Sequence, residues 1–356
     1  MNILNLLKEN PFSLDKMEKE AALLSILNEL HDFHYQNSNS YQKIIDTVFA
    51  GFKVSERLID LPFIPVSAFK NHTIKSINDT EIYKVLTSSG TTGQSVSRIY
   101  LDKETATLQT TALSKIIGHV IGKQRLPMLI VDSKSVFSNK SSFSARGAGI
   151  LGLSVFGKDH TYILDEKFAV QEDVLHGFLE KYQDQPILIF GFTFMVWEYL
   201  IQNPLLRKYD LSKSILIHSG GWKRMQDIAV DNIVFRNSFL QKFGLTNIYN
   251  FYGMVEQVGS IFLENNKGFL HCPIFADIII RNPKDFSIQP IGEPGLVQVI
   301  SAIPKSYPGH SLLTEDIGVL EGENSSENEW KGKYFRILGR AKKAELRGCS
   351  DTFSTN

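Results

Sequence analysis

The stretch TSSGTTGQ, residues 87–94, follows an apolar segment ending in Val85 and Leu86 that has the composition of a strand. Its two glycines let the backbone turn N–H groups inward, and the four hydroxyl side chains within residues 88–93 add donors, so the loop is suited to surround a polyphosphate. An ordinary turn can have a similar composition, but repeated threonines beside paired glycines favour phosphate binding. The residues expected to contact phosphate are Ser88, Ser89, Gly90, Thr91, Thr92 and Gly93.

Two better-known phosphate motifs do not fit this chain. A Walker A loop needs four residues between its glycines and then Gly-Lys-Ser/Thr, whereas two residues separate Gly90 from Gly93 and Gln94 follows. Residues 147–152 do match the pattern G-x-G-x-x-G, but a polar, serine-rich segment precedes them instead of an apolar strand. Residues 147–152 are therefore predicted to form a flexible loop without a dinucleotide.

Composition restricts the class of protein. The 356 residues include 38 lysines and arginines against 38 aspartates and glutamates. This balance disfavours a dedicated binder of nucleic acid or anionic membranes, which carries a basic excess. No apolar run reaches the roughly eighteen residues that span a bilayer, and the first nine residues lack the pattern of a signal peptide. The sequence predicts a globular, cytoplasmic enzyme that acts on small molecules.

Few side chains suggest disulfides or metals. Cys272 and Cys349 are too few for a disulfide framework and lack metal-ligand spacing. Cys272 lies in an apolar segment and is predicted to be a buried apolar side chain. His31 and His34 could share one helical face, but no further ligands accompany them. These histidines are predicted to lie on the surface of a helix.

Apolar spacing divides the chain into four parts. Residues 1–60 carry helical spacing and predict a helical cap. In residues 61–267, short apolar runs alternate with amphipathic segments, which predicts a layered α/β nucleotide-binding core with a parallel sheet. Residues 268–338 are rich in β-branched runs and predict a smaller β-rich subdomain, and residues 339–356 are a short tail that carries Cys349.

Four clusters follow the glycine loop in an order that suits a nucleotide. The first is a double glycine with a tryptophan, which lets a flat ring such as adenine approach the backbone closely. The second pairs an aromatic and a glycine with a glutamate able to hold Mg²⁺. The third offers an aspartate to ribose hydroxyls, and the fourth begins a basic segment. Their residues are Gly220, Gly221 and Trp222; Tyr252, Gly253 and Glu256; Asp316; and Arg340.

This order of clusters resembles the adenylate-forming superfamily of acyl and aryl ligases. The whole chain looks like one member family, the LuxE acyl-protein synthetases, on residues 61–70, 220–223 and 339–349, and Cys349 matches that family's acylated cysteine. The resemblance implies the α/β N-terminal core of an adenylate-forming ligase with its β-rich subdomain, and not the mobile C-terminal domain that bears a catalytic lysine in ordinary ligases.

The resemblance also implies a reaction. A carboxylic acid, expected to be a fatty acid, would react with ATP and Mg²⁺ to give acyl-AMP, and Cys349 would take the acyl group as a thioester and pass it to a partner such as an acyl reductase. The positive charge of Arg340 and its neighbours would favour the Cys349 thiolate.

One residue departs from the superfamily pattern, since Val255 stands where a threonine usually contacts phosphate. Two alternatives therefore stay open. The chain could hand acyl-AMP to CoA or a carrier protein without using Cys349, or it could be a non-catalytic nucleotide-binding subunit of a reductase complex.

Overall fold

The computed structural model describes residues 2–88, 96–137, 145–204, 206, 209–222, 229–257, 259–324 and 330–341. The α-helices are α1 (Ile3–Leu6), α2 (Lys16–Asn37), α3 (Asn39–Val48), α4 (Ala68–Asn71), α5 (Lys103–Ile121), α6 (Ala145–Ser154), α7 (Glu172–Lys181), α8 (Thr193–Val196) and α9 (Asn232–Phe243). The strands are β1 (Ile64–Pro65), β2 (Lys84–Thr87), β3 (Arg98–Leu101), β4 (Leu126–Ser133), β5 (Gly157–Leu164), β6 (Leu188–Phe192), β7 (Ile215–Ser219), β8 (Asn247–Tyr252), β9 (Phe262–Glu264), β10 (Leu270–His271), β11 (Ala276–Arg281), β12 (Pro294–Ser301), β13 (Ser311–Glu323) and β14 (Lys333–Arg340).

The chain divides into two compact units. Unit 1 comprises residues 1–116, 253–262 and 269–356, and unit 2 comprises residues 117–252 and 263–268. Among the helices of the described ranges, none is long and apolar enough to cross a membrane.

A parallel sheet forms the centre of unit 2, with strand order β5-β4-β6-β7-β8. Every residue of β6 and β7 is buried, as expected for strands of a parallel sheet that is covered on both faces. α9 begins where the Asp231 carboxylate accepts the Val234 N–H at 2.7 Å, and it ends at Gly244 in the left-handed conformation. The predicted α/β core with a parallel sheet is confirmed.

Unit 1 contains an antiparallel sheet with strand order β11-β12-β13-β14-β10, and β1 lies parallel to β13. β2 and β3 form a separate antiparallel pair. Near the N-terminus, α2 begins with a capping box between Asp15 and Glu18, and it buries Leu23 and Leu27 completely. Strands β10 to β14 all follow residue 268.

The prediction for His31 and His34 is wrong, since both side chains are buried, at 1% and 0% exposure. His31 Nδ1 lies 2.8 Å from the Tyr41 hydroxyl, and His34 Nδ1 lies 2.8 Å from Ser76 Oγ. The ring of His34 also stacks on that of His310, with centroids 5.0 Å apart. Contacts between segments far apart in the sequence bury these rings, and helical spacing alone cannot reveal them.

The prediction of a loop at residues 147–152 is also wrong, because these residues lie inside α6. Ile150 and Leu153 of this helix are buried. A Cβ atom at Gly149 would lie 3.5 Å from the Phe190 ring, an ordinary van der Waals distance, so this side of the helix packs on β6. Packing against the sheet therefore outweighs the low helix propensity of glycine. The prediction of a buried Cys272 is confirmed, at 1% exposure.

Candidate functional site

The carboxyl ends of three neighbouring parallel strands meet at one edge of the unit 2 sheet. Phe192 of β6 pairs with Ser219 of β7, and Ser219 pairs with Phe251 of β8. Gly220 and Tyr252 are the next residues along the chain, so the structure brings these two candidates side by side. Ligands of open α/β sheets bind at this edge, beyond the carboxyl ends of the strands.

The end of β7 is fixed by hydrogen bonds. The Thr193 hydroxyl donates to the Ser219 carbonyl at 3.2 Å and lies 3.0 Å from His218 Nδ1, which therefore acts as the donor to Thr193. Burial lowers the pKa of His218 to about 3, so the ring is neutral near pH 7. The Phe235 ring of α9 contacts the His218 ring, with centroids 4.6 Å apart. These contacts hold the backbone that leads into Gly220.

The turn after β7 leaves its backbone accessible. Gly220 has a φ of +80°, and a Cβ atom there would lie 3.0 Å from Phe192 Cδ1. A Cβ atom at Gly221 would meet no described atom within 4 Å. The Trp222 ring packs on Trp197 with centroids 5.7 Å apart. A turn without side chains beside a fixed aromatic ring suits the close approach of a flat ligand.

Replacing Gly220 with alanine is expected to lower the free energy of unfolding by about 1 kcal/mol, because alanine is strained at positive φ and its methyl group would press on Phe192. Gly221→Ala is the matched control, since neither strain nor contact applies there. Urea denaturation of both variants measures the difference. Equal destabilisation of the two variants would contradict this description of the turn.

Asp316 and Arg340 lie opposite each other in the antiparallel β13–β14 pair of unit 1. Arg340 Nε is 3.6 Å from Asp316 Oδ1, and the Arg340 side chain is 74% exposed. The Thr314 hydroxyl accepts the Asp316 N–H at 3.1 Å. The structure thus brings a predicted ribose acceptor together with the predicted catalytic arginine.

Glu256 lies in a short 3₁₀ turn, Val255–Gln257, and is 7% exposed. The Tyr307 hydroxyl donates to the Glu256 carbonyl at 3.0 Å, and Gln257 Nε2 donates to the Gly309 carbonyl at 3.1 Å. These bonds fix the backbone of the turn. Within the described ranges, no group of three or more histidine, cysteine, aspartate and glutamate side chains could hold a metal ion. Glu256 stays a predicted Mg²⁺ ligand.

The glycine loop connects β2 and β3, and its two ends are joined. The Ser88 N–H donates to the Ser97 carbonyl at 3.1 Å, and Ser88 Oγ accepts the Ser97 N–H at 2.9 Å. The other predicted phosphate contacts, Ser89, Gly90, Thr91, Thr92 and Gly93, lie outside the described residues, as does Cys349.

The sequence profile described as "Acyl-protein synthetase, LuxE" matches residues 2–356. The chain belongs to this family. Membership makes it an acyl-protein ligase. Relatives include the long-chain-fatty-acid–luciferin-component ligases of Vibrio harveyi, 23% identical over 95% of this chain and 88% of the relative, and of Aliivibrio fischeri, 22% identical over 94% and 88%.

Solved structures of adenylate-forming ligases share the fold. An open conformation of 2-hydroxyisobutyryl-CoA ligase with 2-HIB-AMP and CoA gives a TM-score of 0.67 at 16% identity, over 93% of this chain and 77% of that one. ATP-bound MatB from Rhodopseudomonas palustris gives 0.51 at 14% identity, over 74% and 49%. The expected fold, the N-terminal core of an adenylate-forming ligase, is confirmed.

Sequence reasoning missed three polar residues at the carboxyl edge of the unit 2 sheet. Asp132 ends the apolar run of β4, Thr193 follows β6, and His218 lies near the end of β7. All three are buried. A polar side chain at the end of an apolar strand is a signal that could have marked them, because such ends meet at the ligand edge of a parallel sheet.

Proposed function

We propose that this acyl-protein ligase activates a fatty acid with ATP to form acyl-AMP, transfers the acyl group to its own Cys349 and delivers the thioester to an acyl reductase. The family match over residues 2–356 carries the proposal, because it includes the segment with Cys349. The names of the curated relatives, long-chain-fatty-acid ligases, support the substrate class.

Single residues of each unit support the proposed nucleotide binding. In unit 2, the Gly220–Gly221 turn and Tyr252 would offer accessible backbone and an aromatic side chain to adenine. In unit 1, Asp316 would offer acceptors to ribose hydroxyls. ATP would supply an electrophilic α-phosphorus and pyrophosphate as the leaving group. Glu256 would give one oxygen ligand to Mg²⁺, a cation that usually binds through one or two carboxylates together with substrate phosphates.

Two displacements complete the proposed reaction. A carboxylate oxygen of the acid attacks the α-phosphorus, and pyrophosphate leaves. The Cys349 thiolate then attacks the acyl carbonyl, so that a C–S bond forms while the bond to the AMP oxygen breaks and AMP leaves. The thiol proton passes to solvent when the thiolate forms, and the positive charge of Arg340 favours that ionisation.

The adenylation step is tested by acid-dependent exchange of labelled pyrophosphate into ATP, measured over a panel of fatty and aryl acids. We expect exchange with fatty acids and undiminished exchange in Cys349→Ala, because the cysteine acts only after acyl-AMP has formed. Asp316→Ala should weaken exchange at low ATP concentration, because a bond to ribose is lost. An absence of exchange with every acid would favour the non-catalytic nucleotide-binding subunit.

A further inference from the structure

An oriented arginine lies at the carboxyl edge of the unit 2 sheet, near the end of β4. Asp132 of that strand is 1% exposed, and its Oδ1 accepts the Ser133 N–H at 2.7 Å. Arg146, the second residue of α6, places its Nε 3.1 Å from Asp132 Oδ2. The guanidinium carbon lies 5.1 Å from the centre of the Phe168 ring. An ion pair and a cation–π contact thus fix this guanidinium.

Within the described part of the chain, this guanidinium has donors left for a ligand. Among the described residues, its direct partners are the Asp132 carboxylate, reached through Nε, and the Phe168 ring. The Nη1 and Nη2 groups carry four further N–H bonds in a planar arrangement that matches a carboxylate. The Arg146 side chain is 26% exposed, whereas that of Asp132 is 2% exposed. A ligand can therefore reach the arginine while the aspartate stays behind it.

Two tyrosines, Tyr162 and Tyr199, lie close enough to Asp132 for its charge to act on them. Burial raises the pKa of Tyr162, and the nearby charge of Asp132 raises it further. Burial also raises the pKa of Tyr199, with Glu198 and Asp132 adding to the effect. Both phenols are therefore neutral hydrogen-bond donors with apolar rings. Such surroundings accept an amphipathic ligand, one with an apolar body and a charged end.

The strand order of the sheet sets the distance between Arg146 and the Gly220–Gly221 turn that is proposed to bind the nucleotide. Val131 of β4 pairs with Gly191 of β6, so Asp132 and Phe192 end adjacent strands. Phe192 in turn lies beside Gly220, which follows β7. Neighbouring strands are about 4.8 Å apart, so the ends of β4 and β7 are separated by roughly 10 Å. One bound molecule can reach from the turn to the arginine.

We propose that Arg146 binds a carboxylate of the acid substrate at this edge of the sheet. The proposal rests on the proposed function and adds a specificity residue to it. The bound group could be either of two carboxylates. One is the carboxylate that reacts with ATP, and the other is a second carboxylate at the far end of a dicarboxylic acid. Asp132 is the positioning residue that holds the guanidinium in place.

The test is equilibrium dialysis of labelled dodecanoate, dodecanedioate and uncharged dodecanamide against the full chain, without ATP. In Arg146→Gln, the dissociation constant of the bound acid is expected to rise about ten- to a hundredfold, the range for a hydrogen-bonded charged group. Binding of dodecanamide should not change. Arg57→Gln is the matched control, since Arg57 pairs with Asp60 in unit 1 and should leave all three constants unchanged.

The two acids distinguish the two carboxylates. Equal weakening of dodecanoate and dodecanedioate assigns Arg146 to the activated carboxylate, and weakening of dodecanedioate alone assigns it to a second one. Unchanged binding of both acids would overturn the proposal. Pyrophosphate exchange by the wild-type chain tests the proposed function separately, because acid-dependent exchange there does not depend on which residue holds the acid.

A second pair of variants allows for a folding defect. Arg146→Gln removes the arginine from a buried ion pair, and circular dichroism shows whether the variant folds. The double variant Asp132→Asn with Arg146→Gln removes both charges and should lose acid binding to the same extent. Arg146→Lys keeps the charge without the planar pair of donors and should restore binding in part. Tight acid binding by the folded double variant would equally overturn the proposal.

Discussion

Replacing Asp277 with asparagine is expected to lower the free energy of unfolding by about 3–5 kcal/mol, the usual cost of breaking a buried ion pair from one side. Asp277 lies between two ammonium groups of unit 1. Lys333 Nζ is 3.1 Å from Oδ2 and Lys19 Nζ is 3.7 Å from Oδ1. The side chains of Asp277 and Lys19 are 5% and 4% exposed, so water cannot replace the lost charge.

Electrostatics agree with this arrangement. Burial would raise the pKa of Asp277, but the ammonium groups of Lys19 and Lys333 outweigh burial and hold that pKa below its ordinary value. The matched control is Glu104→Gln, which removes the carboxylate of an exposed pair with Lys305 and should change stability by less than about 0.5 kcal/mol. Guanidinium denaturation measures both variants. If both variants lost the same small amount of stability, the Asp277 carboxylate would not be needed to stabilise the fold.

The second large effect is a loss of stability in mild acid. Burial lowers the pKa of His31 to about 4 and that of His34 to about 3, and it lowers the pKa of His310 well below its ordinary value. Unfolded histidines titrate near 6.5, so the unfolded chain binds more protons as the pH falls below that value. The stability that the protein gains from keeping these rings neutral is fully present above about pH 6.5 and is lost as the pH falls toward 4. Between pH 7.5 and pH 5.5, each ring should lower the free energy of unfolding by roughly 1 kcal/mol.

His34→Gln separates this effect from other titrations. His34 Nδ1 lies 2.8 Å from Ser76 Oγ, and Nε2 lies 3.2 Å from the Pro304 carbonyl. A glutamine amide can make both contacts without binding a proton. This variant should show a smaller fall in melting temperature between pH 7.5 and 5.5 than wild type, whereas the exposed His72→Gln should behave as wild type. An unchanged fall in His34→Gln would show that protonation of this buried ring is not the cause.

The parallel strands could be predicted because their signal is local. The runs at residues 187–190 and 215–217 are almost entirely branched and apolar, and the strands that contain them are fully buried. The histidine cluster could not be predicted, because His310 reaches His34 only after the chain has folded. For the same reason, a glycine-rich segment was predicted to be a loop although it forms α6, which packs on β5 and β6 and buries Ile150 and Leu153.

The candidate site also contains residues that local sequence patterns reveal and residues that come together only in the folded chain. Gly220 and Tyr252 could be selected from sequence, because a double glycine after a strand and an aromatic-glycine pair are local patterns. The Asp132–Arg146 pair could not, since its two members are separated by a serine-rich segment and come together only when α6 packs on the sheet. Local sequence patterns indicate candidate residues, and the strand order of the sheet determines which of them lie next to each other.

Intact-protein mass spectrometry after incubation with ATP, Mg²⁺ and dodecanoate tests self-acylation most directly. We expect an ATP-dependent mass increase of one acyl group that is removed by hydroxylamine and is lost in Cys349→Ala, while Cys272→Ala, at the buried cysteine, still acquires it. Pyrophosphate release without any adduct on the wild-type chain would contradict self-acylation and would indicate an external acceptor such as CoA or a carrier protein.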